Sequence, residues 1–386
     1  MQSLQTIEEG STKLVVPVDS LINTVPPRTP AFFNPNARLS RDFSIIAYKS
    51  YAKNLNEKSM ADALAGVGSR AIRTAVEVKE LDEVYINDAN PIAIDMAKES
   101  SKLNGVEKQC KFSVNEACKF LIEHSSTGSR LGIVDLDPFG TPAPYIDCAL
   151  RAVNDKGLLS ITATDTPVLC GIYPDVCTRR YYGRSMNVEY GNEIGLRLVV
   201  GLVSMIASRL EAGIKPLFVH SIRNYLRVYA RLDVGSRYAE AMPSKLGYIH
   251  HCFSCNNRTY ANRTVPHKIC DSCNQSVRFA GPLWIGDIFD ADFVDEMLYF
   301  VDDCNVDKKC GKSLLMAKKE IKMPPTYFSV DKISERVKAT PPTISAIIDR
   351  LQSSGFSAAR TSLRLTGFKT DAKYNEVLDL FRTLVA

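Results

Sequence analysis

Six residues, Asp135-Leu136-Asp137-Pro138-Phe139-Gly140, carry the most specific chemical signal in the chain. They follow Leu131-Gly132-Ile133-Val134, an apolar run that reads as a short buried strand. An acid, a proline, an aromatic and a glycine at the end of a strand suit methyl transfer to an exocyclic amine. The nitrogen of such an amine is a poor nucleophile, because its lone pair is delocalised into the ring. The Asp137 carboxylate and the Pro138 carbonyl can accept its two N–H bonds and aim the lone pair at a methyl donor. Phe139 offers a face on which a base can stack. Asp-Pro and Phe-Gly are also common turn pairs, so a plain β-turn is the competing reading.

A donor site must lie beside this motif, and the elements upstream can build one. Met60-Ala61-Asp62-Ala63-Leu64-Ala65-Gly66-Val67-Gly68-Ser69 reads as a strand end, a glycine turn and a helix start. The helix predicted over Arg70–Val78 has Ala71, Ile72, Ala75 and Val76 on one face. Gly66 and Gly68 allow the backbone to approach a ligand closely. Asp88 ends the next strand, Glu83 to Asn87, about 20 residues beyond the glycines. There an α/β nucleotide fold places a carboxylate on ribose hydroxyls. Ala71 stands where a dinucleotide fingerprint has its third glycine, and S-adenosylmethionine carries no pyrophosphate to cradle. A third strand, Cys110 to Val114, leads to Asn115-Glu116-Ala117. There Glu116 or the Ala117 amide can read an adenine edge, or the pair simply opens a helix. Strands alternate with helices from about Lys58 to Phe218, as in a doubly wound, mostly parallel sheet.

At this level of detail the chain resembles the tRNA guanine-26 N2-dimethyltransferases, the archaeal form in particular. The resemblance rests on Phe32-Phe33-Asn34-Pro35, Leu39-Ser40-Arg41-Asp42, Asp62 to Arg73, Asn87-Asp88, Asp135 to Pro142 and Thr162-Ala163-Thr164-Asp165. It continues through Leu169-Cys170-Gly171 and Gly367-Phe368-Lys369-Thr370-Asp371-Ala372, and so spans nearly the whole sequence. It implies a class I, Rossmann-like S-adenosylmethionine methyltransferase domain and a smaller α+β C-terminal domain. The implied products are N2-methylguanine and then N2,N2-dimethylguanine at tRNA position 26. Arg41 and Arg70 are implied to hold the cofactor, together with Asp62, Gly66 and Gly68. Asp88 is implied on the ribose and Glu116-Ala117 at the adenine. Asp137, Pro138 and Phe139 form the implied catalytic pocket, with Phe32 nearby.

Four cysteines form a second constellation. Cys252-x2-Cys255 and Cys270-x2-Cys273 are two knuckles separated by fourteen residues, the spacing of a closed four-thiolate zinc site. Such a site leaves no position for substrate, so its role is structural. The intervening loop carries Arg258, Arg263, His267 and Lys268. The chain has 11 cysteines, an odd number, and no secretory signal. A disulfide framework is therefore not expected, and Cys110, Cys118, Cys148, Cys170, Cys177, Cys304 and Cys310 read as small buried hydrophobes.

At 386 residues, 45% hydrophobic and 24% charged, the chain is globular material for two or three domains. A net charge of +5 is compatible with tRNA as partner without requiring it. The longest apolar stretch, Ile194 to Ile206, is short for a membrane span and contains Arg197, so a cytoplasmic protein without membrane contact is expected. No obligate protein partner is evident. The domains predicted are an N-terminal extended segment and helix (1–57), a methyltransferase core (58–214) and a C-terminal RNA-binding domain (215–386). The last holds the zinc ribbon (252–273) and a winged-helix-like segment (326–372). Tyr173, Arg179, Arg180, Tyr181, Tyr182, Arg184 and Tyr190 interleave as in an RNA-contacting surface, or else pack on the next helix. His220 to Val234 reads as one strand with Arg223, Tyr225, Arg227, Tyr229 and Arg231 on one face. Two competing functions are an amine methyltransferase for another base and a non-catalytic nucleic-acid-binding module.

Overall fold

Seven strands form the sheet that carries the Asp137 motif. They are β3 (Ser59–Asp62), β4 (Glu83–Asn87), β5 (Cys110–Ser113), β6 (Leu131–Leu136), β7 (Val153–Ala163), β8 (Ala212–Ile222) and β9 (Tyr225–Val234). β1 (Leu4–Glu9) and β2 (Thr12–Pro17) precede them as a hairpin. The computed structural model describes residues 3–23, 25–262 and 268–385, so Arg263 and His267 lie outside the described residues.

The sheet order is β5-β4-β3-β6-β7-β9-β8. The pairs from β5 through β7 are parallel, and β9 is antiparallel to both β7 and β8. Met60, Ala61, Val84, Ile86, Ile133 and Val134 are all buried, because helices cover both faces of this sheet. Helices Ser69–Glu77, Pro91–Asn104, Ala117–Glu123 and Ile146–Ala152 connect the parallel strands in turn. The Rossmann-like arrangement expected from the alternating pattern is therefore present.

Three expectations need correction. First, His220 to Val234 is not one strand: the chain turns at Arg223 and Asn224 between β8 and β9. Secondly, β8 and β9 complete the large sheet, so a second domain does not begin near residue 215. The middle of the alternating face is buried, with Arg227 and Tyr229 fully enclosed, and an enclosed arginine needs partners that only the core supplies. Thirdly, Cys118 and Cys148 are joined in a disulfide with their Cα atoms 5.5 Å apart. Sequence gave no hint of this, since the two lie on neighbouring helices, Ala117–Glu123 and Ile146–Ala152.

Helix Gly191–Arg209 is long and apolar enough to cross a membrane, yet 78% of it is buried inside the protein. Its Arg197 pairs with Glu193 and donates to the Trp284 and Gly286 carbonyls. The helix packs on β8 and on β12 (Arg278–Trp284), which with β10 (Leu246–His251) and β11 (Arg258–Ala261) forms a three-stranded antiparallel sheet. The four cysteines flank this sheet.

The C-terminal segment has a separate core of Phe328, Ile333, Ile347, Leu351, Phe368, Val377 and Phe381. It consists of β13 (Phe328–Ser329), helices Val330–Val337 and Ile344–Ser353, the hairpin β14 (Ala358–Arg360) and β15 (Gly367–Thr370), and helix Tyr374–Val385. Arg258 joins this segment to the rest. Its guanidinium pairs with Glu189, donates to the Tyr327 carbonyl at 2.7 Å and lies 4.1 Å over the Phe328 ring. Both members of the ion pair are largely buried. Arg258→Ala should therefore cost about 2–4 kcal/mol, since it strands Glu189 and removes a cation–π contact. Urea unfolding checks this; a change below about 0.5 kcal/mol would mean that the contact is passive.

Candidate active site

A cavity of about 560 Å³ opens at the carboxyl ends of β3, β4 and β6. The strand order reverses between β3 and β6, and the crevice at such a switch point is where open α/β sheets bind ligands. Phe32, Arg41, Asp62, Gly66, Arg70, Asp88, Asp137, Pro138 and Phe139 all line it.

The loop after β3 is held by its neighbours. Ala63 N donates to the Asp135 carbonyl, and Ala65 N donates to the Asn87 carbonyl at 2.9 Å. Gly66 (φ 55°) and Gly68 (φ 74°) adopt left-handed backbone that a side chain would strain. Gly66 N donates to Asp88 Oδ2 at 2.8 Å, and Asn90 N donates to Asp88 Oδ1 at 2.9 Å. The carboxylate is thus fixed at the cavity wall. Gly68 does not line the cavity; a Cβ there would meet Ala97 Cβ at 2.7 Å, so its role is helix packing.

Phe139 is 54% exposed and meets Phe32 edge-on at 4.6 Å between centroids. The Arg28 guanidinium lies 4.5 Å over the Phe139 ring. Gly140 anchors this loop, donating to Thr164 Oγ1 and accepting from Thr164 N, both at 2.8 Å. Thr141 donates to Tyr181 Oη, which donates to Asp165 at 2.6 Å. Tyr181 and Tyr190 are buried and do not form an RNA-facing surface, whereas Tyr173 and Tyr182 are exposed.

Beneath the cavity lies a buried ring of polar groups. Arg70 Nη2 pairs with Asp137 Oδ2, and Arg70 Nη1 donates to Ser44 Oγ at 2.5 Å. Arg70 Nε lies 3.5 Å from Asp135 Oδ1, while Arg227 and Tyr48 bond Asp135 Oδ2. Ser44 and Tyr229 hydroxyls, 3.0 Å apart, close the ring through Arg227 Nε. Burial raises the Asp135 carboxyl, but the two arginines win and hold it below the ordinary range. Asp62 is the opposite case: burial pushes it well up, and Asp135 adds to this. Its Oδ1 is buried without a hydrogen-bond partner among the described residues.

Arg41 lines the cavity as expected, and its guanidinium also pairs with Glu9, with bonds of 2.6 and 2.5 Å. The adenine-side placement differs. Glu116 caps helix Ala117–Glu123 by accepting from Lys119 N at 2.9 Å, and neither Glu116 nor Ala117 lines the cavity. The capping alternative is the one realised.

The four cysteine sulfurs lie within 4.8 Å of one another, with Cys252–Cys273 at 3.5 Å and Cys255–Cys270 at 3.6 Å. Zinc–sulfur bonds of about 2.3 Å in a tetrahedron require sulfurs about 3.8 Å apart. The knuckles match each other: Cys252 N donates to the Asn257 carbonyl and Cys270 N to that of Gln275, with Asn256 and Asn274 both left-handed. The donor set fits zinc.

The family model of N2,N2-dimethylguanosine tRNA methyltransferases matches residues 10–382. The chain belongs to this family. It is 35% identical over 385 residues to the tRNA (guanine(26)-N(2))-dimethyltransferase of Methanothermobacter thermautotrophicus, covering 98% of this chain and 99% of that one. It is 32% identical to the tRNA (guanine(26)-N(2)/guanine(27)-N(2))-dimethyltransferase of Aquifex aeolicus, covering 97% and 95%. Trm1 from Pyrococcus horikoshii, solved in complex with S-adenosyl-L-methionine, superposes with a TM-score of 0.85 at 28% identity over 98% of this chain and 99% of that one.

For this family member, the sequence reading missed residues that act through others. Asn87 is one: its Nδ2 donates to the carbonyls of Ala63 and Asn115, tying together the loops after β3 and β5. Its place at a strand end beside Asp88 is the available signal. Glu9 is another. It accepts from both Arg41 and Arg73 and so docks the N-terminal hairpin. Burial raises its carboxyl, but the two arginines outweigh this and bring it from 4.5 down to about 2. That stability is fully present above pH 4.5 and lost as pH falls through about 2. Glu9→Gln should therefore cost about 3 kcal/mol at pH 7, and the difference from wild type should shrink below pH 4.5. A difference in urea stability that stays flat with pH would exclude the ion pairs as its source.

Proposed function

We propose that this chain methylates the exocyclic N2 of guanine at position 26 of tRNA, twice in succession, with S-adenosylmethionine as donor. The observation that carries the reading is the Asp137-Pro138-Phe139 loop facing the Gly66–Asp88 wall across one cavity at the sheet's switch point. Family membership supplies the base and the atom.

The cavity fits the donor. Asp88 is positioned for ribose hydroxyls, and the unpartnered Asp62 Oδ1 suits an ammonium group. We assign no cofactor contact to Glu116, Ala117 or Gly68. When bound, S-adenosylmethionine supplies an electrophilic methyl group and leaves as the thioether. The chain's own residues prepare the acceptor. Arg70 holds Asp137 Oδ2, which leaves Oδ1 to accept one N–H of the amine. The Pro138 carbonyl accepts the other. With both N–H bonds directed, the nitrogen lone pair points at the donor, and orientation contributes most of the rate. Asp137 Oδ1 then takes the proton released as the nitrogen–carbon bond forms. The base is flipped out of the folded tRNA and held by Phe139 and Phe32.

The cysteine cluster is read as structural zinc and the C-terminal segment as a winged helix, both serving tRNA placement. The same reading places the protein in the cytoplasm, where its tRNA substrate is.

Incubation with unmodified tRNA and S-adenosylmethionine, followed by nucleoside mass spectrometry, tests the function. N2-methyl- and N2,N2-dimethylguanosine are expected; methylation of another base would overturn the substrate. Asp137→Ala should lower transfer by a factor of about 10² or more with cofactor affinity nearly intact. Equal loss of both would remove Asp137 from the chemistry. Elemental analysis should find zinc in the purified protein, lost together with thermal stability in Cys255→Ser. A metal-free protein of unchanged stability would refute the zinc assignment.

A further inference from the structure

One hydroxyl in the cavity has its polarity set by its neighbours. Asn34 caps the short helical turn Pro35–Ala37, and its Oδ1 accepts from Asn36 N at 2.9 Å. That bond decides which end of the amide is oxygen, so Nδ2 faces the other way and donates to Tyr225 Oη at 2.6 Å. The Asn34 carbonyl accepts from Arg41 Nη1 at 3.1 Å, which keeps the cap in place. A phenol carries one proton, and here its acceptor side is already used. Among the described residues no acceptor takes the Tyr225 proton, and Tyr225 lines the same cavity as Phe32, Asp137 and Phe139. Burial and the Asp137 charge both push the phenol up, so it stays protonated at neutral pH.

The cavity therefore presents a fixed donor, from Tyr225, near a fixed acceptor, Asp137. The pairing edge of guanine is the complement, with O6 an acceptor and N1–H and the N2 amine donors. We propose that Tyr225, oriented by Asn34, donates to O6 of the target guanine and so registers its N2 amine against Asp137 and Pro138. This rests on the guanine-N2 reading given above.

The test compares tRNA carrying guanine with tRNA carrying 2-aminopurine at the target position. The analogue keeps the exocyclic amine but has hydrogen in place of O6. It also lacks the N1 proton, a loss common to both enzymes that cancels in a double-mutant cycle. Tyr225→Phe should lower kcat/KM for guanine roughly tenfold and leave that for 2-aminopurine unchanged. Asn34→Asp keeps the helix cap but turns Tyr225 into a donor toward the new carboxylate, so it should show the same selective loss. S-adenosylmethionine affinity, read by equilibrium binding, should not change in either variant. Equal loss on both bases, a weakened cofactor affinity or an unchanged guanine rate in Tyr225→Phe would each overturn the proposal. Wild-type transfer to guanine N2 is read in the same assay. Its absence would bring down the underlying reading, whereas its presence with equal losses brings down only the role of Tyr225.

Discussion

The active site depends on one buried carboxylate. Asp135 is fully enclosed, and two enclosed guanidiniums, Arg70 and Arg227, converge on it. Neither arginine can be buried without an anion, and the two repel each other, so the carboxylate between them is what permits the pair. Once Arg70 is fixed to Asp135 and Ser44, its remaining amine groups have a set direction. That direction is toward Asp137, the only member of the set with appreciable exposure, at 25% of its side chain. Asp137 is thus presented to the cavity by a chain of charges anchored on three elements: β6, β9 and helix Ser69–Glu77. The loop carrying Asp137 is held as well by its own Gly140 and Thr141, which bond Thr164 and Tyr181.

The same logic explains why β8 and β9 belong to the sheet. β9 delivers Arg227 and Tyr229 from its inward face to the floor of the site, while the turn that precedes it and its first residue place Arg223, Asn224 and Tyr225 on the cavity wall. An antiparallel pair appended to a parallel sheet can do both, because its turn emerges at the same end as the carboxyl ends of β3 and β6. A strand in a separate domain could not have supplied a buried partner for Asp135.

What sequence could reveal here follows from how local each signal is. The parallel core was legible because alternating strands and helices, glycines with forced backbone and acids at strand ends are all read within a few residues. The cysteine knuckles were legible for the same reason. The residues that carry those signals, Asp62, Gly66, Asp88 and the Asp137 loop, lie along one cavity. What was not legible involves partners far away in the chain. Arg41 pairs with Glu9, 32 residues earlier, and nothing beside either residue signals the other. Arg227 read as one member of an alternating strand face, and its anion is Asp135, 92 residues earlier. Charge type is visible in a sequence, whereas which charge is already neutralised is a property of the fold. Glu116 is a different case: its side chain has a local use as a helix cap, the alternative that stood beside adenine recognition.

One stretch, residues 165 to 209, ties the remaining segments to the site. Asp165 and Tyr181 hold the Asp137 loop through Thr141. A few residues on, Glu189 and Tyr190 engage Arg258 of the cysteine-bearing sheet. Glu193 accepts from Lys369 of the C-terminal segment at 2.9 Å, in a contact where both side chains are almost fully enclosed. Burial raises the Glu193 carboxyl, but Lys369 and Arg197 outweigh it and keep it ionised, so this contact is an ion pair and not a neutral hydrogen bond. Buried ion pairs are poor sources of net stability but tolerate little displacement, since a partial separation leaves both charges dry and unpaired. Two such joints on one stretch therefore hold the outer modules in a set position relative to the Asp137 loop.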